Sequence, residues 1–518
     1  MNVFWLIALV NLVPVAAVVA TSPLRGLSRV LAPDTLVVGM LYAIFAIRPL
    51  FTDRFQASRF EYSGFYRFVP TYDGQLTASL VGILLLWSIG IGALWCSHWR
   101  KLPAGPTTAG PEDRRTRQGT DAADLPHVRA VAITLAALAL YFALIVSFMG
   151  LARALAMSEG RSDYVSSGAF GLPAIVYVIP LTGSIAAATL ILMARSHPIG
   201  FPAWLSILFC TALSLVSVSQ LGNRRFMIPA VLIVVGAFLM QKPIRLRLWH
   251  AVAGLLAIIF LAVVPYVRKA GSRPGENLGE AMVRYIGDNG FVVLLRNMFT
   301  TYDTEMYDYI AVVAPRLENG RENYGFGSGT VLEFFLHPLP QNMFNFNERS
   351  SEVRSYLFNY GCGVTCNLPN PVSSLGGVLF FDGWYVGVIV GGALAGVLVR
   401  VIAMRWSRAA TSSVAQNMVT AISASFMAIA VRTETVGILW LCIYSLMIGF
   451  LVLAVMGEGT ILSKLRRSRD NDLSSVSSIC GPQSPTTQGT AQTEGEPRGD
   501  FGMAVTGPDS RRAPIHSK

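Results

Sequence analysis

The sequence contains eleven long apolar stretches, and they restrict the folds that it can adopt. Each is 15 to 26 residues long and is bounded by charged or Gly- and Pro-rich connections. An α-helix needs about 20 apolar residues to cross a bilayer, where all backbone polar groups must be paired inside the protein. We therefore predict an all-α polytopic membrane protein with about 11 transmembrane helices, at about 2–20, 35–51, 76–97, 130–150, 172–194, 202–219, 226–240, 249–267, 374–399, 415–431 and 436–456.

The composition supports this class. Hydrophobic residues make up 53% of the chain and charged residues only 14%, whereas an average soluble domain has about 25% charged residues. No basic segment precedes the first apolar stretch, so we interpret it as an uncleaved span and not as a signal peptide. The class is an integral membrane protein.

Basic residues are distributed unevenly between alternate connections. With the N-terminus outside, 19 Lys and Arg fall on the cytoplasmic side, Arg400 among them, and nine fall in short outer loops, Arg48 among them. The positive-inside rule then predicts an outer N-terminus and a cytoplasmic C-terminus. The formal net charge of +11 is explained by orientation and by contact with membrane lipids, so no nucleic-acid partner is expected.

Four regions follow from this pattern. Residues 1–267 hold spans 1 to 8 with a flexible cytoplasmic linker at 98–128, residues 374–456 hold spans 9 to 11, and 457–518 form a polar, disordered cytoplasmic tail. Between spans 8 and 9, residues 268–373 form one large extracytoplasmic loop, far longer than an ordinary connection. Two stretches in it, ENLGEAMVRYIGDNGFVVLLRNMF and YDTEMYDYIAVVAPRL, have helical periodicity. We expect two or three helices over the outer face, and we expect function to lie there.

Two residue types in the outer regions have both a structural and a functional interpretation. The large loop contains 15 Phe or Tyr, which form either an interfacial belt and loop core or stacking surfaces for sugar rings, with Tyr302 and Tyr324 as candidates. Two cation clusters occur in QLGNRRFMIP and YVRKAGSR, namely Arg224 and Arg225, and Arg268, Lys269 and Arg273. They either anchor helix ends on lipid phosphates or hold an anionic pyrophosphate, for which guanidinium forks are well suited.

Cysteines and glycines give further structural expectations. Cys362 and Cys366 would face the oxidising side, so a small disulfide loop is plausible but open. Cys96, Cys210 and Cys442 lie in spans and have no oxidised partner. GVIVGGALAG, Gly387 to Gly396, has small residues four apart and predicts close helix packing. No metal-ligand pattern and no nucleotide-cofactor motif is found, so neither a metal nor a cofactor is expected.

Several segments resemble the bacterial O-antigen polymerase family, the oligosaccharide repeat unit polymerases. The arginine pair in QLGNRRFMIP is similar to the Ser/Asn-Arg that opens a span in that family. ENYGFGSG followed by FFLHPLP is similar to its Tyr-x-Gly and Pro-turn motifs, and NPVSSLGGVLFFDGWYVG resembles the segment that re-enters the membrane after its large outer loop. The likeness covers roughly residues 210–400.

The resemblance implies a metal-independent glycosyltransferase of the bacterial plasma membrane. Such an enzyme transfers a glycan from polyprenyl pyrophosphate to the terminal hydroxyl of another lipid-linked repeat unit, and it works beside flippase and chain-length regulator proteins. The leaving pyrophosphate needs cations, and the acceptor hydroxyl needs a general base. Base candidates in the large loop are Asp303, Glu305 and His337, each of which also has a structural explanation as a helix cap or a packing residue.

Two other functions remain open on the sequence. An O-antigen-ligase-like transferase would move the lipid-linked glycan to a different acceptor, and composition does not separate it from a polymerase. A polysaccharide flippase or transporter would be expected to show internal repeats and polar residues at mid-membrane, and neither pattern is visible in the sequence.

Overall fold

The computed structural model of the chain describes ten main stretches: 3–50, 71–99, 125–151, 174–194, 200–220, 224–241, 306–319, 325–336, 374–431 and 435–456. Isolated positions at 247, 252, 283, 284, 286–288, 290 and 338 are also described. Every regular element in these ranges is helical, and none of these residues forms a β-strand. The predicted all-α class is confirmed for this part of the chain.

The described α-helices are numbered in chain order. They are α1 Val3–Thr21, α2 Leu27–Val30, α3 Pro33–Tyr42, α4 Tyr72–Trp99, α5 Leu125–Met149, α6 Thr182–Met193, α7 Phe201–Gln220, α8 Arg224–Gln241, α9 Met306–Glu318, α10 Glu333–Leu336, α11 Ser374–Ser407, α12 Val414–Ala430 and α13 Thr435–Met456. A π-helical stretch, Ala43–Ile47, extends α3, and another, Ser328–Leu332, precedes α10. Two 3₁₀ turns, Ala174–Tyr177 and Ile179–Leu181, lead into α6.

Eight of the described helical segments are long and apolar enough to cross a membrane. They coincide with eight of the predicted spans. The predicted spans at 226–240 and 415–431 appear as shorter apolar helices, Phe226–Gln241 and Val414–Ala430. The predicted span at 249–267 lies almost wholly outside the described residues. The chain is therefore a membrane protein, and the total of eleven spans stays a prediction.

The helices pack around two apolar cores. The first surrounds α6, whose residues from Thr182 to Leu192 are all buried, and it is completed by α5, α7, α8, α12 and α13. The second joins α3, α4, α9 and the first part of α11, with Phe45, Leu85 and Phe380 fully buried in it. The second core matters for function because α9 belongs to the large segment between spans 8 and 9.

The helix α11 is a hairpin and not one straight span. Gly383 and Trp384 have non-helical backbone angles, with φ −141° and ψ 18° at Gly383 and φ 54° and ψ −155° at Trp384. In a straight helix Leu379 and Gly391 would be about 18 Å apart, yet the Leu379 side chain lies against Gly391 and its carbonyl against Gly387. The short arm, residues 374–382, therefore folds back along the long arm, residues 385–407. The prediction of one continuous span at 374–399 is wrong in this respect.

The glycines of GVIVGGALAG allow two close approaches, as the sequence predicts. Gly387 and Gly391 make room for the short arm, and Gly392 and Gly396 make room for α4. A Cβ at Gly392 would lie 3.0 Å from the Ser88 Cβ, and one at Gly396 would overlap the carbonyl of Ile89. The hairpin is thus fixed against α4 by backbone contact.

At the other end of the long arm, Arg400 forms an ion pair with Asp34. The Arg400 Nη1 lies 2.8 Å from the Asp34 Oδ2, and both side chains are fully buried. The same guanidinium donates to the carbonyl of Thr21, at 3.0 Å, and to that of Val18, at 3.3 Å. It thereby pairs with the last carbonyls of α1, where a cation is favourable. Arg400 therefore lies within α11, which continues to Ser407, and not in a loop, while its assignment to the cytoplasmic side stays a prediction.

Candidate functional site

The helix α9 lies across the first turns of α4. Gly74 has no side chain, so the carbonyl of Ala311 reaches the α4 backbone. The Tyr307 hydroxyl lies 2.7 Å from the Gln75 carbonyl oxygen and 2.9 Å from the Ser79 Oγ. The predicted helix in YDTEMYDYIAVVAPRL is thereby confirmed, and most of it is buried. These contacts bring the large segment to one end of the helix bundle, which we call the site end.

A buried ion pair also attaches α9 to the site end. Arg48, just beyond the π-helical extension of α3, pairs with Asp308, and only 1% and 5% of the two side chains are exposed. The assignment of Arg48 to a loop is wrong, because the helical segment Pro33–Leu50 includes it. Because the pair is buried, loss of either partner would leave an unpaired charge inside the protein, which is energetically costly.

The stretch from Gly325 to Leu336 forms a second connection at the site end. The Gly325 amide donates to the Phe381 carbonyl of the short arm at 2.8 Å. The Trp440 indole donates to the Phe334 carbonyl at 2.7 Å, and the two rings lie 5.4 Å apart. Gly327 has φ 88°, an angle that favours glycine. This stretch therefore bridges the hairpin and the first turns of α13.

Between this stretch, the short arm and α13 lies an apolar groove of about 300 Å³. It is lined by Thr330, Val331, Phe334, Phe335, Leu375, Val378, Leu379, Val436 and Leu439. Thr330 is the one polar side chain in that lining. Val331 and Phe335 are mostly exposed, which is compatible with contact to lipid. A surface of this kind suits a hydrocarbon chain.

Beside the hairpin tip, a carboxylate is held in a fixed orientation. The Tyr385 hydroxyl donates to Glu318 Oε1 at 2.6 Å, and the Thr77 hydroxyl donates to Oε2 at 3.2 Å. Glu318 itself is exposed. Each carboxylate oxygen can accept a second donor, so the group can still bind a ligand hydroxyl. At the tip, Trp384 is half exposed, and its ring centroid lies 5.1 Å from that of Tyr385.

Of the predicted pyrophosphate ligands, the structure describes the backbone of two. Arg224 and Arg225 begin α8. α8 runs along α12, and a Cβ added at Gly236 would lie 3.4 Å from the Trp406 ring, which is near the opposite end of the bundle, so α8 begins toward the site end. Their side chains lie outside the described residues. So do Arg268, Lys269 and Arg273, and the prediction for them stays open.

The other predicted site residues also lie outside the described part. These are the base candidates Asp303, Glu305 and His337, the glycan candidates Tyr302 and Tyr324, and the cysteines Cys362 and Cys366. Cys96, Cys210 and Cys442, which the sequence places in spans, are free and buried in α4, α7 and α13. Among the described residues, no group of three His, Cys, Asp or Glu side chains is placed to hold a metal ion.

Sequence reasoning did not single out Glu318, Trp384 or Tyr385 as site residues. Glu318 stands at the polar end of an apolar helix, where a charge is unremarkable. Trp384 lies within an apolar run that predicts an ordinary span. The pair Asp-Gly before Trp384 is the one signal that favours a turn at this point.

The comparisons with known proteins assign no family to this arrangement. No protein-family model matches the chain, and neither a curated protein nor a solved structure is significantly similar to it.

Proposed function

We propose that this membrane protein is a glycosyltransferase that polymerises polyprenyl-pyrophosphate-linked oligosaccharide repeat units into a cell-surface polysaccharide. The observation that carries the proposal is the apolar groove at the site end. A lipid-linked glycan is an amphiphile, with a long hydrocarbon chain joined through pyrophosphate to sugars. Its binding requires an apolar surface next to cations and polar groups, and the groove supplies the apolar part.

The position of the arginine pair supports the same substrate class. Arg224 and Arg225 begin α8 on the side of the bundle where the large segment is attached. The first turn of a helix also has unpaired backbone amides, which favour anions. A pyrophosphate leaving group gains charge during transfer, so cations at this end would stabilise the transition state.

The second substrate is the acceptor, and its attacking hydroxyl needs a general base. The identity of that base is part of the proposal. Asp303, Glu305 and His337 are the candidates in the large segment. The buried Asp382 at the end of the short arm and Glu333 at the start of α10 are further carboxylates in the same region. One of these groups would accept the proton of the attacking hydroxyl as the new glycosidic bond forms and polyprenyl pyrophosphate leaves.

The proposal is tested by the surface glycan of a host strain that lacks the gene. A polymerase defect leaves glycans of a single repeat unit on the surface, and the wild-type gene restores a ladder of lengths. Free long chains that stay unattached would indicate the ligase-like function instead. A glycan retained on the cytoplasmic side would indicate a flippase, and an unchanged glycan profile would refute all three.

A further inference from the structure

We propose that Trp384, Tyr385 and Glu318 form a binding subsite for one sugar ring of the lipid-linked glycan. The inference rests on the proposed function for the identity of the ligand, and it deepens that function by placing a glycan contact on the hairpin tip. It differs from the predicted glycan contacts at Tyr302 and Tyr324, which lie elsewhere in the sequence.

The backbone at Trp384 is unusual for a residue with a side chain. A φ of 54° is rarely adopted by a residue with a side chain, and tryptophan is among the bulkiest. The turn between the arms would form more easily with glycine at this position. Strained backbone at an exposed residue is common where the side chain has a task. Here the strain presents an indole ring at the surface, half exposed, instead of burying it.

The Trp384 and Tyr385 rings are in contact and are packed against the hairpin. The Tyr385 ring contacts both Trp384 and the fully buried Phe380, with centroid distances of 5.1 Å and 5.2 Å. Tyr385 is therefore held by packing as well as by its hydroxyl. The half-exposed Trp384 ring, packed against Tyr385, offers a flat apolar surface on which the C–H face of a sugar can pack.

The Glu318 carboxylate lies beside these rings. Glu318 belongs to α9, which is fixed to α4 by the Tyr307 hydroxyl and to Arg48 by the ion pair of Asp308, so its backbone is held by contacts outside the hairpin as well. Hydrogen bonds from Tyr385 and Thr77 orient both of its oxygens. A fixed carboxylate beside an aromatic surface can accept hydrogen bonds from sugar hydroxyls, and bonds to a charged acceptor are stronger than neutral ones. The combination recognises a neutral or cationic sugar and disfavours an acidic one.

Two structural roles compete with this inference. Trp384 would be an interfacial anchor if its only task were contact with lipid headgroups. The bond between Tyr385 and Glu318 would be a latch if its only task were to join α9 to α11. Neither role requires that a free oligosaccharide bind to the protein.

The test measures binding of a soluble probe to the purified full-length protein in nanodiscs. The probe is the oligosaccharide repeat unit released by mild acid from the host's own lipid-linked pool. We expect Trp384→Gly, which suits the observed φ, and Glu318→Gln, which keeps an acceptor for Tyr385, each to weaken binding by about tenfold or more. Trp95→Ala, a change at an exposed tryptophan on α4, is the matched control and should bind like the wild type.

The outcomes distinguish failure of the subsite from failure of the proposed polymerase function. If Trp384→Gly fails to accumulate, Tyr385→Phe removes only the hydroxyl that orients Glu318 and gives the same test. Wild-type affinity in Trp384→Gly, Glu318→Gln and Tyr385→Phe, or no binding by the wild type, overturns the subsite. A wild-type protein that binds the probe through these residues but forms no polymer would retain the subsite and refute the polymerase.

Discussion

The buried pair of Arg48 and Asp308 should control how firmly α9 is held at the site end. Both side chains are almost completely buried, so the pair belongs with interior ion pairs and not with surface ones. Loss of one partner leaves an uncompensated charge and typically costs about 3–5 kcal/mol. We therefore expect Asp308→Asn and Arg48→Met each to destabilise the docked position of α9 by about this amount.

Hydrogen exchange of the α9 amides measures this directly. A loss of about 3–5 kcal/mol in the local opening free energy corresponds to exchange that is about a hundredfold to a few thousandfold faster. The double variant Arg48→Met with Asp308→Asn removes both charges, and we expect it to recover much of the protection. The amides of α12, which belongs to the other core, serve as an internal reference.

Two results would refute the reasoning. One is unchanged exchange of α9 in both single variants, which would mean that the tyrosine and glycine contacts with α4 alone hold the helix. The other is a double variant that is destabilised by the sum of the single effects, which would mean that the two charges do not interact.

Three further outcomes are expected. If the arginines that begin α8 hold pyrophosphate, Arg225→Lys should lose most polymer formation while the protein still accumulates, because lysine is a point charge without the planar fork. The effect of Arg224→Lys should be milder or equal. Full polymer ladders in both variants would favour headgroup anchoring. Reporters fused after Ser463 and inserted near Asn319 should signal cytoplasm and outside respectively, and the reverse pair would invert the proposed orientation. Gly396→Ala, whose Cβ would overlap the Ile89 carbonyl, should lower the free energy of unfolding by about 1–3 kcal/mol in a thermal melting experiment. Gly39→Ala in α3, where nothing lies within 4 Å, should be neutral or slightly stabilising in the same melting experiment.

The membrane-spanning helices were predictable because the hydropathy of a span is a local property. Ten of the predicted spans coincide with described apolar helices, and the close packing at Gly392 and Gly396 followed from their spacing. The fold-back of α11 was not predictable from hydropathy, since both arms are apolar and the break occupies only Gly383 and Trp384. Hydropathy averaged over about 20 residues does not detect a turn of two residues.

The two buried ion pairs escaped prediction for a different reason. Arg48 and Asp308 are 260 positions apart in the chain, and Arg400 is even farther from Asp34. Counting basic residues for orientation treats each of them as a loop charge. Only the fold shows that two of these arginines have carboxylate partners inside the protein. Glu318 and Tyr385 are also distant in the chain, 67 positions apart, so their contact was not recognised either.

The complete burial of α6 has a consequence for how the protein is made. Of the 18-residue apolar stretch in Ile175–Met193, which contains α6, 89% is buried in the folded chain, against 17% of the corresponding stretch in Pro126–Phe148 of α5. Yet α6 leaves the ribosome before α7, α8, α12 and α13, the helices that will enclose it. Because it is apolar on all sides, it can enter the bilayer alone and wait in contact with lipid. The first core therefore cannot close until α13 has been synthesised, and a chain truncated before Val414 should leave one side of α6 facing lipid.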